Sequence, residues 1–251
     1  MKTTSSVFNA YSRYYDLLYQ DKNYVGEADY IQALLISQGI TQGSLLEFGS
    51  GTGIHGCMLA ARGYHVQGVE RSPEMVARAK VVEGFSCQQG DICKIRLGRT
   101  FDAVLSLFHV ISYQITNADL AAVFTSAREH LKPGGVFIFD FWYSPAVHSQ
   151  QPSLRVKRMG DKQLEIIRLA EPEIHPNENR VDVNYTIFAR DLVSGAVEMT
   201  VETHPMRHFC LPEIDLISKA NGFERIITEE FLSSKPAGDN TWSVCVTLKR
   251  I

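Results

Sequence analysis

Residues 44–80, SLLEFGSGTGIHGCMLAARGYHVQGVERSPEMVARAK, read as strand, glycine-rich turn, helix, strand, acid, helix. A short apolar run at 45–48 carries one acid, Glu47, and stops at Gly49-Ser50-Gly51-Thr52-Gly53. Glycines at alternate positions let the backbone turn sharply and approach a ligand, because a Cβ at any of them would obstruct one or the other. The helix expected over 54–62 presents its free N–H groups and positive dipole end to whatever lies over the loop. A second strand over 65–69 ends on Glu70. That acid stands about twenty residues past the glycines, where a nucleotide-binding crossover places a carboxylate on ribose hydroxyls. The stretch predicts a nucleoside cofactor.

The spacing narrows the choice. A dinucleotide fingerprint is G-x-G-x-x-G, with a pyrophosphate on the helix N-terminus. Here the spacing is G-x-G-x-G, and Glu47 stands two residues before the first glycine. A carboxylate there repels a pyrophosphate and attracts an ammonium or sulfonium group. S-adenosylmethionine carries both cations and a ribose, and no phosphate. The E-F-G-S-G-T-G segment, Glu70 and the later Gly90-Asp91 together resemble the class I S-adenosylmethionine-dependent methyltransferases. The resemblance implies an α/β fold, a Rossmann-like seven-stranded sheet with helices on both faces. It also implies a cofactor set of Glu47, Gly49, Ser50, Gly51, Gly53, Glu70, Arg71, Met75, Asp91, Ile92 and Leu107.

Downstream, a third strand is expected over 85–89, ending at Gly90-Asp91-Ile92. Asp91 can accept from the adenine amine while Ile92 covers the ring; the alternative is an Asx turn or helix cap. Residues 101–107, FDAVLSL, are nearly all apolar, as in a strand buried on both faces. They run into Phe108-His109-Val110-Ile111-Ser112-Tyr113, where open α/β sheets place their ligands. A helix over 117–130, a Leu131-Lys132-Pro133-Gly134-Gly135 turn and a fifth strand over 136–139 lead to Asp140-Phe141-Trp142-Tyr143. The L-K-P-G-G turn belongs to the same resemblance. From 144 to 205 the pattern turns β-rich (154–158, 163–170, 180–190, 196–204), an inserted antiparallel lobe on the substrate side. A helix over 210–221 and an edge hairpin of strands 223–230 and 242–249 complete the chain. The expected organisation is a cofactor-binding core of 1–143 and 206–251 and an inserted lobe of 144–205. Residues 8–18, FNAYSRYYDLL, read as an aromatic helix that either packs its rings on the domain or closes over the ligands as a lid. A longer helix is expected over 24–38.

With 251 residues, 45% hydrophobic and 21% charged, the chain suits one large globular domain or a core with an added lobe. A net charge of −3 supplies no basic field for a nucleic-acid backbone, so the partner expected is a small molecule. No apolar run is long enough to span a bilayer and the start lacks a signal-peptide layout, which points to the cytoplasm. The five cysteines (Cys57, Cys87, Cys93, Cys210, Cys245) are odd in number and scattered, as expected of free thiols. Of eight histidines only His204 and His208 are close, and on a strand-to-loop segment they do not share a face; no metal is expected. Monomer and homodimer both stay open.

Methyl transfer is an in-line displacement, and holding donor and nucleophile in line with water excluded is mainly an orientation effect. A general base is needed only when the nucleophile arrives protonated, and His109 and Tyr113 are the candidates. A satisfied structural histidine and a wall tyrosine are the alternatives. Signatures of serine hydrolases, zinc proteases and P-loops are absent from the sequence.

The whole chain further resembles bacterial nucleotide-sugar N,N-dimethyltransferases of the desosamine and mycaminose type. The residues that carry this are Tyr15-Asp16-Leu17 with Tyr24, the segment LGRTFDAVLSLF at 97–108, and an acid followed by aromatics at 140–143. The resemblance implies Tyr15 near the cofactor's methionine part. It implies Tyr11, Tyr24, Tyr113, Trp142 and Tyr143 around the substrate, with Arg180 and His204 entering from the lobe. The acceptor implied is the amine of a dTDP-linked deoxysugar. The chain departs from that pattern at His109 and Val110, at Asp140-Phe141-Trp142-Tyr143 in place of Glu-Pro-Trp-Trp, and at Glu47-Phe48-Gly49-Ser50 in place of D-V-A-C. Two other readings remain: another small-molecule N- or O-methyltransferase with His109 as base, or a cofactor-binding protein without turnover.

Overall fold

The apolar runs at 45–48, 66–69 and 103–105 become neighbouring parallel strands, and the rest of a large sheet is laid down on either side of them. The computed structural model describes residues 11–251, with the side chains of Tyr11 and Arg13 set aside. The part of the expected aromatic helix before residue 11, and the Tyr11 ring, therefore lie outside the described residues. A 3-10 turn at Tyr11–Tyr14 leads into α1 (Tyr15–Leu18) and α2 (Tyr24–Ser37). The core follows as β1 (Gly43–Phe48), α3 (Ile54–Ala60), β2 (Tyr64–Glu70), α4 (Pro73–Arg78), β3 (Phe85–Gln89) and β4 (Phe101–Ser106). A 3-10 turn at Val110–Tyr113, α5 (Asn117–His130), β5 (Leu131–Trp142) and α6 (Ser144–Gln150) come next. Four antiparallel strands follow: β6 (Arg155–Gly160), β7 (Leu164–His175), β8 (Arg180–Asp191) and β9 (Val197–Arg207). The chain closes with α7 (Leu211–Ala220), β10 (Phe223–Glu230) and β11 (Ser243–Arg250).

The seven-stranded sheet has the order β10-β11-β5-β4-β1-β2-β3. Its pairs are parallel except those made by β11, which runs antiparallel to both neighbours. Strand order reverses between β1 and β4, so the loops after these two strands diverge and leave a crevice at their carboxyl ends. Alternating side chains feed two cores. Phe48, Phe124, Phe137, Phe139, Phe141 and Phe223 fill one face; Ile31, Leu35, Leu45, Leu105 and Ile138 fill the other. The second sheet has the order β6-β7-β8-β9, and its Val181, Val183 and Met206 pack with Tyr113 and Trp142. Its Ile166, Ile187 and Ala189 pack on Tyr14 and Leu18 of the N-terminal segment.

Three local expectations differ from the structure. Residues 131–135 are not a turn ahead of the fifth strand: β5 starts at Leu131, and its pairing with β4 slips between Phe101 and Ala103, which absorbs Gly134 at φ +76°. Residues 144–150, within the stretch expected to be β-rich, form a helix, because Pro145 in its first turn has the φ a helix start needs and lacks only a donor that would be unused there. The N-terminal segment splits into a 3-10 turn and one α turn.

Candidate active site

At the crevice floor the backbone takes the left-handed conformation at Gly49 (φ +68°) and Gly51 (φ +56°). A Cβ on Gly49 would stand 2.6 Å from a Val110 methyl, whereas one on Gly51 would meet nothing within 4 Å, so the space over Gly51 is open. The Gly51 N–H donates to Glu70 Oε2 (2.9 Å) and the Ser72 N–H to Oε1 (2.8 Å). Burial raises the Glu70 carboxyl, and these N–H groups pull against that. Glu47 is buried deeper. Its Oε2 has no hydrogen-bond partner, and burial together with the nearby Glu70 charge pushes the carboxyl up to about 8. A buried carboxylate oxygen left unsatisfied is costly until a donor or cation completes it.

Beneath Glu47 lies a charged network that the sequence did not announce. His55 Nε2 is 2.6 Å from Glu27 Oε2, and its Nδ1 is 3.9 Å from Glu47 Oε1. Lys22 pairs with the same Glu27 oxygen and lies over the rings of Tyr24 (4.3 Å) and Phe108 (4.2 Å). Burial lowers the Lys22 ammonium against the pull of Glu27. Tyr24 stands edge-on to His55 at 5.2 Å and so belongs to this end of the crevice. Asp16 accepts from the Thr52 hydroxyl at 3.0 Å, tying α1 across the glycine loop, and Tyr15 stacks beside Tyr19 at 4.8 Å. Ser50, Met75, Ile92 and Leu107 are buried, and Arg71 is exposed. Asp91 closes an Asx turn through the Cys93 N–H (2.9 Å) at the end of β3.

The loop after β4 carries unusual backbone. Phe108 and His109 both sit in the left-handed region, at φ +63° and +62°. Non-glycine residues pay for that conformation, so the surroundings must hold it. Asp140 does so: its oxygens accept the His109 N–H at 3.2 and 3.3 Å and approach its Nδ1 at 2.7 Å. Burial would raise the Asp140 carboxyl, but His109 holds it below its ordinary value. Four residues on, the Tyr113 hydroxyl bonds His204 Nδ1 at 2.9 Å, and His204 Nε2 lies 3.2 Å from Glu202 Oε2. Trp142 lies near His109 (6.2 Å) and Trp242 (6.1 Å).

Two expected substrate residues are not brought to this group. Arg180 faces the other side of β8, because alternation puts Val181 and Val183 inward beside Tyr113 and Trp142. Its guanidinium pairs instead with Glu178 and with Asp182 at 2.9 Å. Tyr143 follows Trp142 on the opposite side and packs on the Phe141 and Phe209 cluster. Lobe residues that the sequence reading missed do face inward: Glu202, and Arg168, which lies 5.1 Å from the Tyr185 ring. Only the two-residue alternation of β7, β8 and β9, read with the correct strand ends, could have found them. Among the described residues no group of three or more His, Cys, Asp or Glu is placed to hold a metal ion, and no helix is long and apolar enough to cross a membrane.

Residues 45–135 match the methyltransferase domain family. A dTDP-3-amino-3,4,6-trideoxy-alpha-D-glucopyranose N,N-dimethyltransferase of Streptomyces venezuelae is 33% identical over 177 residues, 69% of this chain and 74% of that protein. The chain belongs to the S-adenosylmethionine-dependent methyltransferases. A second relative of this methyltransferase, dTDP-3-amino-3,6-dideoxy-alpha-D-glucopyranose N,N-dimethyltransferase of Streptomyces fradiae, is 27% identical over 89% of the chain and 86% of its own. The crystal structure of Streptomyces venezuelae DesVI superposes with a TM-score of 0.80 at 25% identity, over 94% of this chain and 97% of the other. The fold expected from the glycine loop is the one observed. S-adenosylmethionine is the cofactor of the methyltransferase, and the orphaned Glu47 oxygen with the open space over Gly51 fits its cationic, phosphate-free body.

Proposed function

We propose that this methyltransferase acts on the amino group of a nucleotide-linked deoxyaminosugar. The observation that carries the reading is the 33% identity to a dTDP-aminosugar N,N-dimethyltransferase over 74% of that protein's length. When bound, S-adenosylmethionine supplies an activated methyl group. Glu47 would face its cationic end and Glu70 the ribose hydroxyls, with Asp91 and Ile92 at the adenine. The acceptor would enter between the loop after β4 and the inward face of the lobe, against Tyr113, Trp142 and His204. Orientation in a closed site is then the main source of rate.

The chain's negative charge suits a small acceptor better than a nucleic acid. The test is incubation of the protein with methyl-labelled cofactor and a panel of dTDP-aminosugars and their hydroxyl counterparts. Label on the amine supports the reading. Label confined to hydroxyl acceptors overturns it in favour of an O-methyltransferase.

A further inference from the structure

An aminosugar is mostly an ammonium ion near neutral pH, and an ammonium has no lone pair with which to attack a methyl group. A proton must leave before each transfer. Two histidines stand at the acceptor end, and they are differently engaged. His109 shares Asp140 with its own backbone N–H and with the Ser243 hydroxyl (3.2 Å), so this pair is spent on holding a strained loop. His204 is the interior member of a chain that runs from crevice to lobe: Tyr113 hydroxyl, His204 Nδ1 and Nε2, Glu202 carboxylate. His204 and Glu202 are 2% and 3% exposed, whereas Tyr113 is only partly covered.

We propose that Tyr113, His204 and Glu202 form a proton relay that takes the proton from the acceptor's ammonium group. The inference rests on the amine reading of the acceptor. A carboxylate at Nε2 favours the tautomer with its proton there, which leaves Nδ1 as an acceptor for the phenol O–H. The transfer balances as two coupled steps. The ammonium N–H bond breaks and its proton passes to Tyr113 Oη, while the phenol proton passes to His204 Nδ1. The nitrogen keeps the bonding pair as its nucleophilic lone pair, and the imidazolium formed is countered by Glu202. Tyr113 returns to a neutral phenol, so the relay needs no phenolate; this matters because burial, then the neighbouring Tyr185 and Tyr19, raises that hydroxyl well above its ordinary value.

The described groups that face the relay carry charges of both signs, and the carboxylates stand nearer. Tyr185 of β8 stands perpendicular to His204 at 4.9 Å, and the Glu70 and Glu202 carboxylates act on Tyr113, which favours a positive charge nearby. Arg168 lies behind the Tyr185 ring at 5.1 Å and opposes that charge from farther away. The arrangement also bridges the two sheets, since Tyr113 belongs to the loop after β4 and His204 and Glu202 to β9. Among the described residues, the phenol reaches the Glu202 carboxylate through β9 of the lobe.

Three measurements test this. In the ligand-free protein, imidazole nitrogen chemical shifts of His204 should show one dominant tautomer, and Glu202→Gln should mix the two. With an aminosugar acceptor, Tyr113→Phe should cut kcat by about a hundredfold or more. Glu202→Gln should lower kcat about tenfold and move the acid limb of the pH profile to lower pH, because the imidazolium has lost its counter-ion. A simple structural role for Glu202 would change kcat without moving the limb. Cofactor affinity, measured by calorimetry, checks that both variants fold and bind. Full kcat in Tyr113→Phe, or an unmoved limb in Glu202→Gln with label still appearing on the amine, overturns the relay. Label appearing only on hydroxyl acceptors overturns the amine reading instead.

Discussion

In the proposed arrangement, Glu47 would tie cofactor binding to pH. Its carboxyl is pushed up to about 8, mainly by burial and then by Glu70, so the cofactor-free protein holds it mostly protonated at neutral pH. Opposite the sulfonium and ammonium of the cofactor, as proposed, the same group would have to be ionised. Two pH units below 8 the ionised form is about one molecule in a hundred, and one unit below about one in ten. The apparent dissociation constant should therefore tighten about tenfold, about 1.4 kcal/mol, between pH 6 and pH 7. This window lies below the ordinary α-amino range, so the ligand's own charge stays constant across it. Calorimetry in two buffers of different ionisation enthalpy should detect close to one proton released per cofactor bound at pH 6, and Glu47→Gln should abolish both slope and release. An affinity that is flat across this window, with no proton released, would refute the assignment. The stability sign is opposite to that of most carboxylates. Because the folded value is raised, the Glu47 contribution to stability is fully present below its ordinary value of 4.5 and is lost as pH rises through about 8.

Other variants report on separate parts of the site. Glu70→Ala removes a carboxylate held by two backbone N–H groups, and cofactor affinity should fall at least tenfold; unchanged affinity would remove the ribose role. Gly49→Ala places a Cβ 2.6 Å from Val110 at φ +68°, and should lower the unfolding temperature by several degrees, with Val110→Ala restoring only part. His109→Ala should leave kcat within about tenfold, since a base is worth roughly a hundredfold or more. It should lower stability chiefly at neutral pH: the depressed Asp140 carboxyl contributes above the ordinary carboxylate range and loses its contribution as pH falls. Phe124→Ala, in the aromatic core face of α5, should cost about 3–5 kcal/mol in a denaturant titration.

The glycine-loop unit was legible in the chain because its determinants are local. Glycine spacing, the acid at Glu47 and the acid at Glu70 are fixed by one strand–loop–helix–strand unit, and the structure closes that unit through the Gly51–Glu70 bond. The proposed acceptor side depends on side chains that meet across long separations. Tyr113 and His204 stand ninety-one residues apart and touch only because the β9 strand is seated over the loop after β4. Arg180 was misplaced for the same reason: knowing that β8 exists does not say which of its two faces looks inward until its register with β9 is known. The buried Lys22, Glu27 and His55 network escaped because each residue alone is an ordinary helical or loop residue.

The N-terminal segment is floored by the lobe: Tyr14 and Leu18 pack on Ile166, Ile187 and Ala189, and Lys157 reaches Asp21 at 2.8 Å. Yet Asp16 grips the glycine loop of the other sheet. Swapping the lobe for a homologous one would thus also remove the packing that holds α1 against the glycine loop. A transplant that carries the first twenty-odd residues along with strands β6 to β9 should bind cofactor normally, and one that carries the strands alone should not.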